Sequence, residues 1–102
     1  MVERVWHPEV RNMHEYCKQQ VTSDQTASIE GAPDPFSAAK KVLMYDSEMA
    51  CAILDCMSPL GAAFVLLILE TVFKNDERAR LIAGRAKFLE IRGTKGLVQA
   101  RD

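Results

Sequence analysis

Apolar positions along the chain fall into four stretches of helical periodicity, separated by clusters of Pro, Gly, Asn, Asp and Ser. Pro8 suits a first helical position, where a missing N–H is no loss, and Val10, Met13, Cys17 and Val21 follow it as a thin apolar stripe. This predicts a first helix over 8–21. Residues 22–35, TSDQTASIEGAPDP, read as a long loop. Asp34-Pro35 then pairs a capping carboxylate with a first-turn proline and opens a second helix over 35–57. Its arc holds Ala38, Val42, Met49, Ile53 and Cys56, widened by Leu43, Ala50, Leu54 and Met57. Asp46 falls inside that arc. Either it meets a polar partner, or Asp46-Ser47 caps a restarted helix. Ser58-Pro59 repeats the start signal for a third helix over 59–74, with almost no linker before it. Asn75-Asp76 opens a fourth, over 76–92, with Gly93 as its stop. A hairpin pairing 88–92 with 97–100 around the turn 93–96 is the competing reading of the C-terminal end.

The third helix sets the main question. Gly61–Leu69 is an unbroken apolar run. On a wheel, Leu60, Phe64, Ile68 and Thr71 form one stripe, and Val65, Leu69 and Val72 form a second, extended by Ala62, Leu66 and Phe73. Only Ala63, Leu67, Glu70 and Lys74 form a face that carries charge. The apolar arc is roughly 240° wide, against ~100° for an ordinary surface helix. Such a helix needs neighbours on at least two sides. The second helix supplies one. The first is a poor cover because its stripe is thin. The fourth interleaves Leu81, Ile82, Phe88 and Leu89 with Arg78, Arg85 and Arg92, a row that is costly inside a chain's own core and ordinary at an interface, where Arg is enriched. The favoured cover is a second copy of the chain, through Val65, Leu66, Leu69, Val72 and Phe73. A monomeric four-helix domain and a surface reserved for another protein remain the alternatives. Arg78, Leu81, Arg85, Phe88, Leu89 and Arg92 are the candidate partner-binding residues.

Length and charge narrow the picture. The 102 residues form one domain, 48% hydrophobic, small enough that help from a partner subunit is reasonable. Net charge is −1, but residues 1–73 hold five Lys/Arg against ten Asp/Glu, and residues 74–102 hold eight against four. The basic C-terminal third makes a small DNA-associated helical protein the rival function class. The acidic remainder and the Leu and Phe between the arginines disfavour it. Three cysteines, Cys17, Cys51 and Cys56, show no disulfide-framework spacing, the N-terminus has no signal-peptide run, and the apolar run is shorter than the roughly 20 residues that span a bilayer. The expectation is a cytoplasmic protein with no membrane partner.

No motif points to catalysis. His14-x2-Cys17 and Cys51-x4-Cys56 lack the paired spacings of structural zinc, so the cysteines read as small core residues. Ser58 sits in MSPLG, not GxSxG, and reads as a cap. Asp46 and Glu48 have no partner base tied to them. Arg92-Gly93-Thr94-Lys95-Gly96 lacks the strand and helix that frame a phosphate loop. No enzyme, metal or cofactor is expected. Met44, Met49 and Met57 suit either an adaptable contact surface or core filling.

The segment MYDSEMACAILDCMSPLGAAFVLLILETVF, with the chain's size and its helix-start signals, resembles the QslA-type antiactivators of bacterial quorum sensing. The resemblance covers the whole chain without a diagnostic short motif, and carries over no site residue. It implies a cytoplasmic all-helical dimer without enzymatic activity. Such a protein binds a LuxR-type transcriptional regulator and prevents its dimerisation or DNA binding. The sequence therefore predicts an all-α domain of four helices, a homodimer, acting by protein contact.

Overall fold

A computed structural model describes residues 8–91, and among these every regular element is an α-helix. There are six: α1 (Pro8–Gln20), α2 (Ser23–Glu30), α3 (Pro35–Val42), α4 (Ser47–Cys56), α5 (Pro59–Thr71) and α6 (Glu77–Phe88). The all-helical class agrees with the sequence reading; the count of four does not. Two places account for the difference.

The expected loop 22–35 contains α2. Its start is a capping box. The Thr22 side chain accepts from the Gln25 N–H at 3.2 Å, and the Gln25 side chain accepts from the Thr22 N–H at 2.9 Å. Two orphan donors are thereby satisfied at once. Ile29, fully buried, ties this short helix to the core.

The expected long second helix is two. Asp46 caps the restart, accepting from the Met49 N–H at 2.9 Å, and so takes the second of its two foreseen roles. The corner is held from outside. Arg78 Nη1 donates to the carbonyls of Leu43 at 3.1 Å and Tyr45 at 3.3 Å, which α3 leaves without helical partners. The other starts follow the sequence. Asp34 caps α3, Ser58 caps α5 and Asp76 caps α6, with Pro35 and Pro59 in the first turns of α3 and α5. The Glu30 carboxylate accepts from the Ser58 N–H at 2.8 Å, pinning the end of α2 to the start of α5.

α6 stops at Phe88, short of the expected 92. Glu90 adopts φ 54°, the Glu90 N–H donates to Lys87 O and the Ile91 N–H to Ala86 O, the paired bonds of a Schellman cap. Glycine usually takes this left-handed position. Here a glutamate does, and the burial of Ile91 beyond it offsets the strain. Arg92, Gly93 and the proposed hairpin lie outside the described residues.

The core is built from α2 to α6: Ile29, Val42, Ile53, Leu54, Val65, Leu66, Leu69, Ile82 and Ile91, closely spaced by Ala39, Ala50, Ala62, Ala79 and Ala86. α1 contributes none of its side chains to that cluster. It lies against α4, burying His14 and Cys17.

Candidate functional site

The all-round apolar character of α5 has a different explanation from the expected one. Val65, Leu66 and Leu69 are at most 2% exposed, covered by the chain's own α3, α4 and α6. They are core residues and cannot face a second copy. Of the five proposed dimer residues, only Val72 is open, at 55%, while Phe73 is half-buried and stacks on Phe36 with ring centroids 5.4 Å apart. Glu70 accounts for the difference. That carboxylate does not mark the solvent side. It turns towards α6 and pairs with Lys87 at 3.2 Å. The true outer face is rotated by about 60° of the wheel, taking 100° per residue.

That face is apolar. Leu60 is 68% exposed, Phe64 47% and Leu67 42%. With Thr71 they follow a 4-3-4 spacing, the seam pattern by which one helix lies along another. Phe36 on α3 and Val72 are also exposed, and Lys40 sits over the Phe36 ring at 5.5 Å from its centroid. At its N-terminal end the stripe runs into an open groove of about 500 Å³, lined by Pro33, Pro35, Met57, Gly61 and Phe64. Leu60 and Phe64 belong to the apolar arc that the periodicity marks, but periodicity alone does not say which part of that arc faces outward.

The α6 candidates divide in the same way. Leu81 is exposed. Arg78 is the corner brace described above. Arg85 is largely buried and lies 3.8 Å from Glu48 of α4. Phe88 is covered from α1: the Arg11 guanidinium stacks 4.9 Å from its ring centroid and Arg11 Nη2 donates to its carbonyl at 3.3 Å. Leu89 packs against the core. Arg78 and Arg85 therefore serve the fold, with Leu81, Gly84, Arg80 and Lys87 left on the outer side.

A second open depression, about 710 Å³, lies where α4 and α6 begin. Asp46, Glu77, Arg78 and Arg80 all line it, so its formal charges cancel and it forms no anion cradle.

Titratable groups converge where α1 crosses α4. His14 Nε2 lies 2.9 Å from Asp55 Oδ2, and Lys18 Nζ lies 3.3 Å from the same oxygen. The hydrogen bond from His14, then that from Lys18, holds the Asp55 carboxyl below its usual range, against the opposing effect of burial. The same bond raises the Lys18 ammonium. Cys51, whose Sγ points to Ile82 O at 3.5 Å, is pushed up to about 12 by burial, which leaves it an inert thiol. Cys56 is exposed, not the core residue its spacing suggested. Among the described residues no group of three or more His, Cys, Asp or Glu could hold a metal, and no helix is long and apolar enough to cross a membrane. Comparison with protein-family models, curated proteins and solved structures gives no match.

Proposed function

We propose that this protein is a non-enzymatic contact module whose working surface is the outer stripe of α5. The observation that carries the reading is the exposure of Leu60, Phe64 and Leu67 on one helix face, while the opposite face of the same helix is buried in the core. Leaving three large side chains in water forgoes roughly 1 kcal/mol or more apiece. A surface that covers them recovers it.

The occupant proposed first is a second copy, stripe against stripe. The cytoplasmic target is a LuxR-type transcriptional regulator, held off from dimerisation or from DNA. The resemblance of residues 44–73 to QslA-type antiactivators supports that choice of target, and the apolar, ring-rich character of the stripe suits contact with another helical surface. Light scattering across a micromolar dilution series is expected to give about twice the 11.4 kDa chain mass. Phe64→Glu is expected to give monomer with an unchanged circular dichroism spectrum, because a carboxylate in a dry contact costs several kcal/mol while the same group in water costs little. Calorimetry against the ligand-binding domain of a LuxR-type regulator tests the target. A monomer at every concentration removes the dimer, and absence of heat with a folded regulator removes the antiactivator reading.

A further inference from the structure

α1 is joined to the rest of the fold unlike any other element. Residues of α2 to α6 interdigitate in one apolar cluster, and no α1 side chain enters it. Its two buried side chains, His14 and Cys17, are polar or small. Its specific contacts are His14 and Lys18 on the single carboxylate of Asp55, and Arg11 on the ring and carbonyl of Phe88. The α4 surface beneath fits this arrangement. Ala52 is fully buried yet lies outside the core cluster, and it stands one helical turn before Asp55 on the same face. A small side chain there lets α1 approach closely without an apolar interlock. Tyr16 and Met13, the larger side chains of α1, are exposed.

We infer that α1 is a strap: it leaves α4 and α6 as a unit while α2 to α6 stay folded, and its release uncovers Ala52, Asp55 and the Phe88 ring. The physical basis is the difference in what opening costs. Releasing α1 gives up the Asp55 and Phe88 contacts together with the small buried surface of Cys17 and Ala52, whereas opening any other helix exposes the large side chains of the apolar cluster. Asp55 is the latch, because both His14 and Lys18 end on it.

The chain carries its own reporters. Cys56 is on the surface, Cys17 is on the buried face of α1, and Cys51 is sealed between α4 and α6. Pulsed alkylation with N-ethylmaleimide, read by mass spectrometry of the intact 102-residue protein and its peptides, separates the three. Cys56 is expected to label first. Cys17 is expected to label through an opening whose urea dependence is clearly above zero and less than about half that of Cys51, because less surface is exposed than in global unfolding. Asp55→Asn is expected to raise the Cys17 rate about fivefold or more, on the scale of a lost charge-assisted contact, and the Cys51 rate less than about twofold. Comparing each thiol with itself cancels differences in intrinsic reactivity. If Cys17 and Cys51 share one urea slope, or rise together in the variant, α1 belongs to the single cooperative unit and the strap is wrong. A Cys17 rate with no urea dependence equally overturns it, since labelling then needs no undocking. Should Asp55→Asn fail to fold, the two slopes in the parent protein decide the matter.

Discussion

Leu66 and Leu67 are neighbours in sequence with opposite surroundings, and truncating each in turn tests the core and the surface together. Leu66 is completely buried among α3, α4 and α6, whereas Leu67 is 42% exposed on the outer stripe. Leu66→Ala removes buried methyl groups and leaves a cavity that neighbouring alanines cannot fill, a loss of about 2–5 kcal/mol. For a chain of this size, with total stability of about 5–15 kcal/mol, that is a large fraction. Leu67→Ala forfeits only the partial burial of one side chain, about 1 kcal/mol or less. Urea unfolding followed by circular dichroism at sub-micromolar protein measures both. With a slope of about 2 kcal/mol per molar, the midpoint is expected to fall by about 1 M or more for Leu66→Ala and by less than about 0.5 M for Leu67→Ala. Raising the protein concentration separates the roles further. A self-associating parent gains stability by mass action, and Leu67→Ala is expected to lose that gain. Equal shifts for the two variants at low concentration, or a larger one for Leu67→Ala, would refute the placement of α5.

Two further changes, in α6 and at its C-terminal cap, are expected to stabilise the fold, each by about 0.5–1 kcal/mol, read as a rise in thermal midpoint. Gly84→Ala adds a Cβ that meets nothing within 4 Å and removes a flexible residue from a helix interior. Glu90→Gly relieves a non-glycine residue at φ 54°. Docking of α1 is expected to weaken at both ends of the pH scale. Asp55 is depressed from 3.8, so its contribution is present above that value and is lost as pH falls through the lower folded value; Lys18 is raised from 10.5, so its contribution is present below that value and is lost as pH climbs through the higher folded one. Amide exchange in α1, compared with α5 at pH 3 and pH 7 after correction for intrinsic rates, checks the acid side, and Asp55→Asn is expected to flatten it.

Helix starts were the most legible part of the sequence. Asp34-Pro35, Ser58-Pro59 and Asp76 each place a side-chain acceptor where the first turn leaves N–H groups bare, and that requirement is local. The all-helical class followed from the same signals. Thr22 and Gln25 carried an equally local signal, but their polar neighbours and the glycine and prolines of 31–35 read as loop. The corner between α3 and α4 was half legible. Asp46 could be seen as a cap, while its brace, Arg78, comes from more than thirty residues away. The contact surface was the least legible. Periodicity ranks residues around a helix but does not say which neighbours cover which side, and Glu70 and Arg85 look like solvent or interface residues until their partners Lys87 and Glu48 are placed. Glu90 could not have been read as a helix stop, because nothing in its side chain favours the left-handed conformation.

The brace from Arg78 also bears on the order in which the molecule assembles. The carbonyls it holds belong to residues 33 and 35 positions earlier in the chain. At synthesis rates of about 5–20 residues per second, the α3–α4 corner waits roughly 2–7 s for the arginine that closes it. During that interval the first four helices exist without the side chain that fixes the angle between two of them, and Cys51 and Ile53 have no α6 to pack against. A helix made later thus sets the geometry of an early one, so nascent chains stalled before Arg78 should carry a hinge where the finished protein has a rigid bend.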